Sequence, residues 1–472
     1  MATSKQSIFI PTLNKEDVWN AIADFEMYPE YMPDIDAVEI LSSGGNEKTT
    51  FWAVRLDGAY FEWTERDTLD FPNTISFDLI EGDVESLSGV WTIEEAEGGH
   101  LVSLEMSFDI GIPSLAATLD PIALKALEKN VANMLGGLPA LVSKGPKLKK
   151  AEPQVVSREI RKSAKSINLA SYKAQVGTPI PIEDLPELED KPDVTRILRE
   201  RGLDRVSCFA SKDAAFAALM RCCSDVLSQS GKKASDIEAV FFTTGNSPWT
   251  LEDDRELIRA LGTIGLGNAA LIGANLSSCA NTGIAYRTAL GVMCAEELDY
   301  ALLITLDMVE SGARRLSPPD VGMNADGVSA CLLSTEQGQF EILESSSFVD
   351  SELAIREIAS KMPSEYVERH IRGIGKTVSR ALDARGLRLK DIHLVLAPNL
   401  NSTLIQIIAA AMGVKRSKIM APNIGTTGHV QTTDALLNLQ SVRPVQGPEE
   451  GEFWIMLSCS DHAWACTLLK AR

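Results

Sequence analysis

The sequence predicts two regions of different fold class. An α+β region of one short helix, an antiparallel meander and one long helix comes first, then a larger α/β region made of two similar halves. Three observations predict this. Residues 1–143 hold 7 Lys and Arg against 25 Asp and Glu, a net of −18, while the rest of the 472-residue chain holds 38 against 40. Short β-rich runs split by turn pairs fill the first region. The second region repeats itself at an offset of 155 residues.

Length and composition set the frame. A chain of 472 residues exceeds one ordinary core, so two or three domains are expected. An apolar fraction of 45% with 23% charge is that of a soluble globular protein. No apolar run reaches the ~18–20 residues that span a bilayer. Met1-Ala-Thr-Ser-Lys5 leads into no apolar core, so no signal peptide is expected and the location implied is cytoplasmic. A net charge of −20 argues against nucleic acid and membrane as partners. All eight cysteines follow residue 207 and none has metal-ligand spacing, so they read as reduced thiols.

In the first region, residues 15–25 have helical apolar spacing, with Asn14 as N-cap and acids in the first turn. Strands are expected at Thr49–Leu56, Tyr60–Thr68, Thr74–Ile80, Gly89–Glu94 and His100–Ile110, split by Asp57-Gly58, Pro72-Asn73, Gly82-Asp83 and Gly98-Gly99. A long helix, roughly Pro113–Val142, closes the unit and would enclose a cavity against the sheet. This region, through Val18-Trp-Asn-Ala-Ile-Ala-Asp-Phe-Glu-Met-Tyr-Pro-Glu-Tyr-Met-Pro33, Phe61-Glu-Trp-Thr-Glu-Arg-Asp67 and Gly89-Val-Trp-Thr92, resembles the polyketide cyclase/dehydrase branch of the START-like, helix-grip superfamily. Trp52, Trp63, Tyr28, Tyr31 and Arg66 are candidate cavity residues, suited to an aromatic or poly-β-keto small molecule. A second reading makes Trp52 and Trp91 core, and pairs Arg66 with an acid such as Glu65.

Residues 144–166, with eight bases, two acids and two prolines, read as a basic linker. Such a strip also suits an acidic partner such as an acyl carrier protein. The domains expected are thus 1–143 and 167–472.

Beyond the linker, Leu227-Ser-Gln-Ser-Gly-Lys-Lys-Ala-Ser-Asp-Ile-Glu-Ala-Val240 aligns with Leu382-Asp-Ala-Arg-Gly-Leu-Arg-Leu-Lys-Asp-Ile-His-Leu-Val395, and Asn246-Ser247 with Asn401-Ser402. Each copy reads as helix, Asp-Ile, buried strand. Apolar strands at Ala239–Thr243, Ala270–Ala274, Tyr300–Leu306 and His393–Leu396 alternate with helices, the pattern of a doubly wound α/β layer. The sharpest local signal is Ile272-Gly-Ala-Asn-Leu-Ser-Ser-Cys-Ala-Asn-Thr-Gly-Ile-Ala-Tyr286, a strand-turn-helix with Cys279 at the helix start. Helix-end N–H groups and the helix dipole favour a thiolate there.

With Asn324-Ala-Asp-Gly-Val-Ser-Ala330, Ala397-Pro-Asn-Leu-Asn401 and Gly428-His-Val-Gln-Thr-Thr-Asp434, region 167–472 resembles ketoacyl-ACP synthase III and its acyltransferase relatives, of the thiolase fold with duplicated αβαβα layers. The resemblance implies that Cys279 takes an acyl group from a CoA or carrier-protein thioester. It implies no permanently bound cofactor, and homodimers. The family's Pro-His-x-x-Asn segment reads Ala397-Pro398-Asn399-Leu400-Asn401 here. Pro398, or Asn399 after a one-residue slip, stands where the histidine belongs. His429 remains as the base, with Asp434 either orienting it or acting as a first-turn acid. Catalytic candidates are therefore Cys279, His429, Asp434, Asn401 and Asn399. His462 lies where the family carries a glycine-rich turn; it could reach the site, but a surface or packing role suits it better.

The reading is a cyclase-like domain fused to an acyl-transferring or condensing domain of natural-product assembly. Alternatives are a fatty-acid-type synthase III and a non-catalytic ligand-binding scaffold.

Overall fold

The computed structural model describes the chain apart from residues 1, 13, 31, 33, 57–58, 110–115, 145–165, 246–248, 311–312, 314, 318–321, 337, 356–362 and 446. The expected linker and Tyr31 therefore fall largely or wholly outside the described residues, as does the Asn246-Ser247 pair. The chain forms two compact units, Met1–Lys162 with Ala410–Val414, and Ser163–Ala409 with Lys415–Arg472.

The first unit runs β1 (Ala2–Ile10), α1 (Lys15–Ala23), β2 (Ile35–Gly44), β3 (Glu47–Leu56), β4 (Ala59–Asp70), β5 (Thr74–Gly82), β6 (Ser86–Ala96), β7 (Gly99–Asp109) and α2 (Ala116–Lys144). The Asn14 side chain accepts from Glu16 N–H and starts α1. Strands β2 to β7 form an antiparallel meander, and β1 pairs with β7. Sequence reading missed β1 and β2. Helix α2 presents Leu127, Val131, Met134, Leu135 and Leu138 as a buried stripe at helical spacing.

The second unit runs β8 (Asn168–Val176), β9 (Thr178–Pro181), α3 (Pro192–Glu200), β10 (Arg205–Cys208), α4 (Lys212–Ser230), β11 (Ala239–Thr243), α5 (Leu251–Thr263), β12 (Ala270–Gly273), α6 (Asn281–Ala295), β13 (Tyr300–Asp307), β14 (Leu316–Ser317), β15 (Gly322–Met323), β16 (Gly327–Ser334) and β17 (Phe340–Val349). It continues with α7 (Ser351–Ile355), α8 (Pro363–Asp383), β18 (Ile392–Leu396), α9 (Ser402–Met412), β19 (Ile419–Met420), α10 (Ile424–Thr427), α11 (Asp434–Val442), β20 (Phe453–Cys459) and β21 (Ala463–Ala471). The main sheet has the order β12-β11-β13-β16-β8-β17-β21-β20-β18-β19. One core joins α6 (Ala285, Tyr286, Ala289), α11 (Leu436, Leu439) and strand residues such as Phe241, Leu303, Leu394 and Trp454.

The sequence repeat has a structural counterpart. Gly231 and Gly386 both follow a helix in the left-handed region, at φ 67° and 65°, where a side chain would be strained. Lys232 N–H then bonds Leu227 O, and Leu387 N–H bonds Leu382 O. Asp236 and Asp391 each accept from a backbone N–H three residues back, both at 2.8 Å. The same short sequence thus builds the same helix stop and turn before β11 and before β18.

Candidate active site

Cys279 lies in the 3-10 turn Ser278–Ala280 that leads into α6. Asn281 stitches this turn down: its Oδ1 accepts from Ser277 N–H at 2.7 Å and its Nδ2 donates to Thr244 O at 2.8 Å. A Cβ on Gly283 would meet Ala465 Cβ at 2.4 Å, so glycine lets α6 approach β21 closely. Ala280, Ala463 and Ala465 fill the same contact.

His429 reaches the thiol from the loop after α10. Its Nε2 is 3.1 Å from Cys279 Sγ, and its Nδ1 is 2.5 Å from Asp434 Oδ2. Asp434 Oδ1 accepts from Val430 N–H and Asn399 Nδ2, at 2.8 and 2.9 Å. Both His429 and Asp434 are buried. Burial alone would depress the His429 pKa. The charges of Cys279 and Asp434, with hydrogen bonds to both, outweigh it and hold the imidazole well above its ordinary value. The Asn324-Ala-Asp segment pins His429 by its backbone: His429 N–H bonds Met323 O, and Ala325 N–H bonds His429 O. Asp326 is buried and takes both guanidinium nitrogens of Arg315, at 2.8 and 2.9 Å.

The two candidate asparagines part company. Asn399 is fully buried and donates to Asp434 through both its Nδ2 and its backbone N–H. Asn401 caps α9, accepting from Leu404 N–H at 2.8 Å, while lining the cavity described next. Pro398 has no N–H to offer. His462 is half-buried and is absent from the cavity wall.

Cys279 and His429 open into a cavity of about 1490 Å3, walled in part by Leu306, Met308, Leu404 and Ile407, with Arg201, Lys212 and Arg315 among its polar residues. Sequence reading missed three groups here. Asp307, at the end of β13, accepts from Gly245 N–H, the Thr432 hydroxyl, and the Thr433 N–H and hydroxyl, and so fixes the turn after His429. Burial pushes its carboxyl up to about 6. Asp461 faces the cavity and its surface is exposed there; the protein packed around it raises its pKa by desolvation, against the pull of His462 and His429. His370 lines the same wall. An acid closing an apolar strand was a readable signal for Asp307; nothing local marked the other two.

Burial pushes Cys208 to about 11 and Cys222, Cys331 and Cys466 to about 12, while Cys294 is exposed. Among the described residues no His, Cys, Asp and Glu group is arranged to hold a metal. No described helix is long and apolar enough to cross a membrane.

Several of the residues expected to line a cavity lie among the described residues of the first unit. Trp52 and Trp63 stack at 6.3 Å with planes 7° apart, and both are buried. Their indole N–H groups donate to Thr50 and Glu65 on their own strands. Among the described residues, Trp63 lines one small cavity of about 10 Å3, the room of one water. Arg66 is corrected outright: it is exposed, because strand alternation sends Trp63, Glu65 and Asp67 inward and Arg66 outward. The inward polar groups are a carboxyl pair. Burial raises Glu65 well above the usual range, and the Asp67 charge and a hydrogen bond to Asp67 add to it. Burial likewise raises Asp67 to about 6, against the Thr50 hydrogen bond.

Residues 13–135 match the family model described as polyketide cyclase / dehydrase and lipid transport. No curated protein matches the sequence. Among solved structures the chain is similar to ChlB3, an acyltransferase, at 16% identity over 65% of this chain and 98% of that one, with a TM-score of 0.55. It is similar to the priming β-ketosynthase of the R1128 polyketide biosynthetic pathway at 13% identity, 65% and 97% coverage, and a TM-score of 0.54. OleA of Xanthomonas campestris, in a crystal structure with cerulenin, is similar at 11% identity, 65% and 96% coverage, and a TM-score of 0.55. At such identities the likeness shows the fold alone. The chain therefore carries a polyketide cyclase/dehydrase domain at its N-terminus, followed by a part with the thiolase fold of the 3-oxoacyl-(acyl-carrier-protein) synthase III structures.

Proposed function

We propose that this chain is a fused protein of aromatic polyketide-type biosynthesis whose second unit transfers or condenses an acyl group through a thioester on Cys279. The observation that carries this reading is the hydrogen-bonded line from Cys279 Sγ through His429 to Asp434, opening into a large cavity. His429 takes the thiol proton, and the sulfur attacks the carbonyl of an acyl-CoA or acyl-carrier thioester. The tetrahedral oxyanion is held by backbone N–H groups, with that of Cys279 proposed as one donor. It collapses with loss of the carrier thiol, which leaves with the proton from His429. The acceptor then gives its proton to His429 and attacks the acyl carbon, and the Cys279 sulfur leaves. Asp434 holds the imidazole in the tautomer this needs, and Asn399 holds Asp434.

Ordinary malonyl extension fits less well. Enolate stabilisation asks for a second N–H donor, which Pro398 lacks, and the Asn399 amide is already committed to Asp434. A fatty-acid-type synthase is thus the weaker alternative. A scaffold without catalysis leaves the Cys279–His429–Asp434 line without a purpose.

Two finer features belong to the same reading. The second unit is a duplication with layered αβαβα halves. In support, each half sets its strands in the same order, third-second-fourth-fifth-first, counting from β8 in one half and from β17 in the other. The chain is a homodimer through β12. This strand ends the sheet, and Leu271 and Leu276 beside it are 39% and 95% exposed. The cyclase-like unit would bind or reshape the product.

Intact-mass measurement after incubation with acetyl-, butyryl- and malonyl-CoA tests the reading. One acyl group per chain is expected. No adduct with any thioester, carrier-bound substrates included, favours the scaffold.

A further inference from the structure

Asp461 stands in the turn between β20 and β21, facing the Cys279 cavity with its surface exposed there. The turn is tied down. Ser460 N–H bonds Ala463 O at 2.8 Å, Ala463 N–H bonds Ser460 Oγ at 3.1 Å, and Asp350 N–H bonds His462 O at 2.8 Å. Ala463 packs with Ala465 against Ala280, the neighbour of Cys279. A fixed backbone thus holds a carboxylate close to the reacting thiol. His429 and His462 act on its charge through space, yet neither bonds it. Among the described residues the Asp461 carboxylate takes part in no hydrogen bond or ion pair. Two other acids of the cavity are already committed. Asp253 pairs with Lys212, and Glu187 accepts from the N–H groups of Arg315 and Leu316. Glu310 also lines the cavity, exposed in the loop after β13 rather than in the Asp461 turn. A partly desolvated carboxylate without a counter-ion gains most from a cationic donor, because a charge-assisted N–H···O bond is roughly twice as strong as a neutral one.

We propose that Asp461 binds the acyl acceptor, and that this acceptor is a primary amine, held as its ammonium by the Asp461 carboxylate. The bond formed is then an amide. The ammonium gives one proton to Asp461, whose raised pKa suits it to take one, and the nitrogen lone pair is freed. The nitrogen attacks the acyl carbon of the Cys279 thioester and the C–N bond forms. The tetrahedral adduct gives a second proton to His429. It collapses as the C–S bond breaks, and the departing Cys279 sulfur takes that proton. Amide and free thiol remain, and Asp461 returns its proton to water. The apolar wall of Leu306, Met308, Leu404 and Ile407 has room for the carbon chain of such an amine. This rests on the reading of Cys279 as the acylated residue, and the two are tested separately.

The first arm uses Cys279→Ala protein, which needs no acylation. Ligand-observed NMR titration compares hexylamine with 1-hexanol, which has the same chain and no charge at neutral pH. Asp461→Asn should weaken hexylamine about tenfold and move 1-hexanol far less. Asp461→Glu, which keeps the charge, should regain part of the loss. The second arm follows a butyryl adduct by mass spectrometry as it passes to hexylamine, giving the amide, or to 1-hexanol, giving the ester. Asp461→Asn should slow amide formation about tenfold more than ester formation. Hexylamine binding that Asp461→Asn leaves unchanged overturns the proposal. So does an equal loss for both probes, or a loss that follows Glu310→Gln instead. An adduct that hexylamine does not discharge overturns the amide step. A wild-type chain that forms no adduct with any thioester sinks the Cys279 reading and closes the second arm. The first arm then decides the Asp461 assignment alone. Circular dichroism and gel filtration exclude variants that fail to fold.

Discussion

His429 Nε2 stands 3.1 Å from Cys279 Sγ although 150 residues separate them, so two stretches far apart in the sequence complete one site. This pairing yields the first prediction. His429→Ala should slow acylation of Cys279 by about 100–10,000-fold, the usual worth of a positioned general base. Asp434→Asn should also slow it, because the amide no longer holds the imidazole with its proton on Nδ1. Stopped-flow release of free CoA thiol reports both rates. Acylation at wild-type speed in His429→Ala would move the base elsewhere, with Asp461 the first candidate.

Decarboxylation should lag behind acyl transfer. A missing enolate donor costs roughly 2.7–4 kcal/mol, or about 100–1000-fold in rate. Carbon dioxide release from malonyl-CoA, measured beside adduct formation in one sample, should be slower by at least that order. Equal rates would mean that another group supplies the donor.

The buried carboxyl pair makes the first unit sensitive to alkali. Burial raises both Glu65 and Asp67, the latter to about 6, so the folded state holds their protons more tightly than the unfolded chain does. The resulting stability is complete below the unfolded carboxylate range near pH 4. It is lost as pH rises through about 6, by an amount on the order of 1–3 kcal/mol. Segment 1–143, expressed alone, should fold and show a higher denaturation midpoint at pH 5 than at pH 8. The double variant Glu65→Gln with Asp67→Asn should flatten that difference. A midpoint that rises with pH would contradict the assignment.

Much of this was readable from sequence, and the failures have physical causes. Cys279 stood out because strand, small-residue turn and helix are contiguous in the chain. The repeat was legible because its glycine and aspartate each perform one local task, stopping a helix and closing a turn. Arg66 was misplaced although strand parity with Trp63 and Glu65 argued against it. Strand β1 was missed because Ser4 and Gln6 on its inward face are polar while Phe9 faces outward, so its regular alternation of burial has no apolar counterpart in the sequence. The roles of Asn399 and Asn401 depend on which of two neighbouring amides faces Asp434, and only the folded backbone decides that. His370 and Asp461 reach the cavity from elements far apart in sequence, with no motif around them.

Exposed apolar residues at an open sheet edge predict association. Light scattering should give twice the 51.2 kDa subunit mass. Leu271→Asp with Leu276→Asp should shift the chain toward monomer without unfolding it. A wild-type mass of one subunit at all concentrations would reject the dimer.

The most direct test is peptide mapping of the acyl adduct. After brief exposure to an acyl thioester, the account predicts a single labelled peptide containing Cys279, with the exposed Cys294 unlabelled and the label absent in Cys279→Ser. A label that survives Cys279→Ser, or that maps to Cys294 or Cys459, would contradict it.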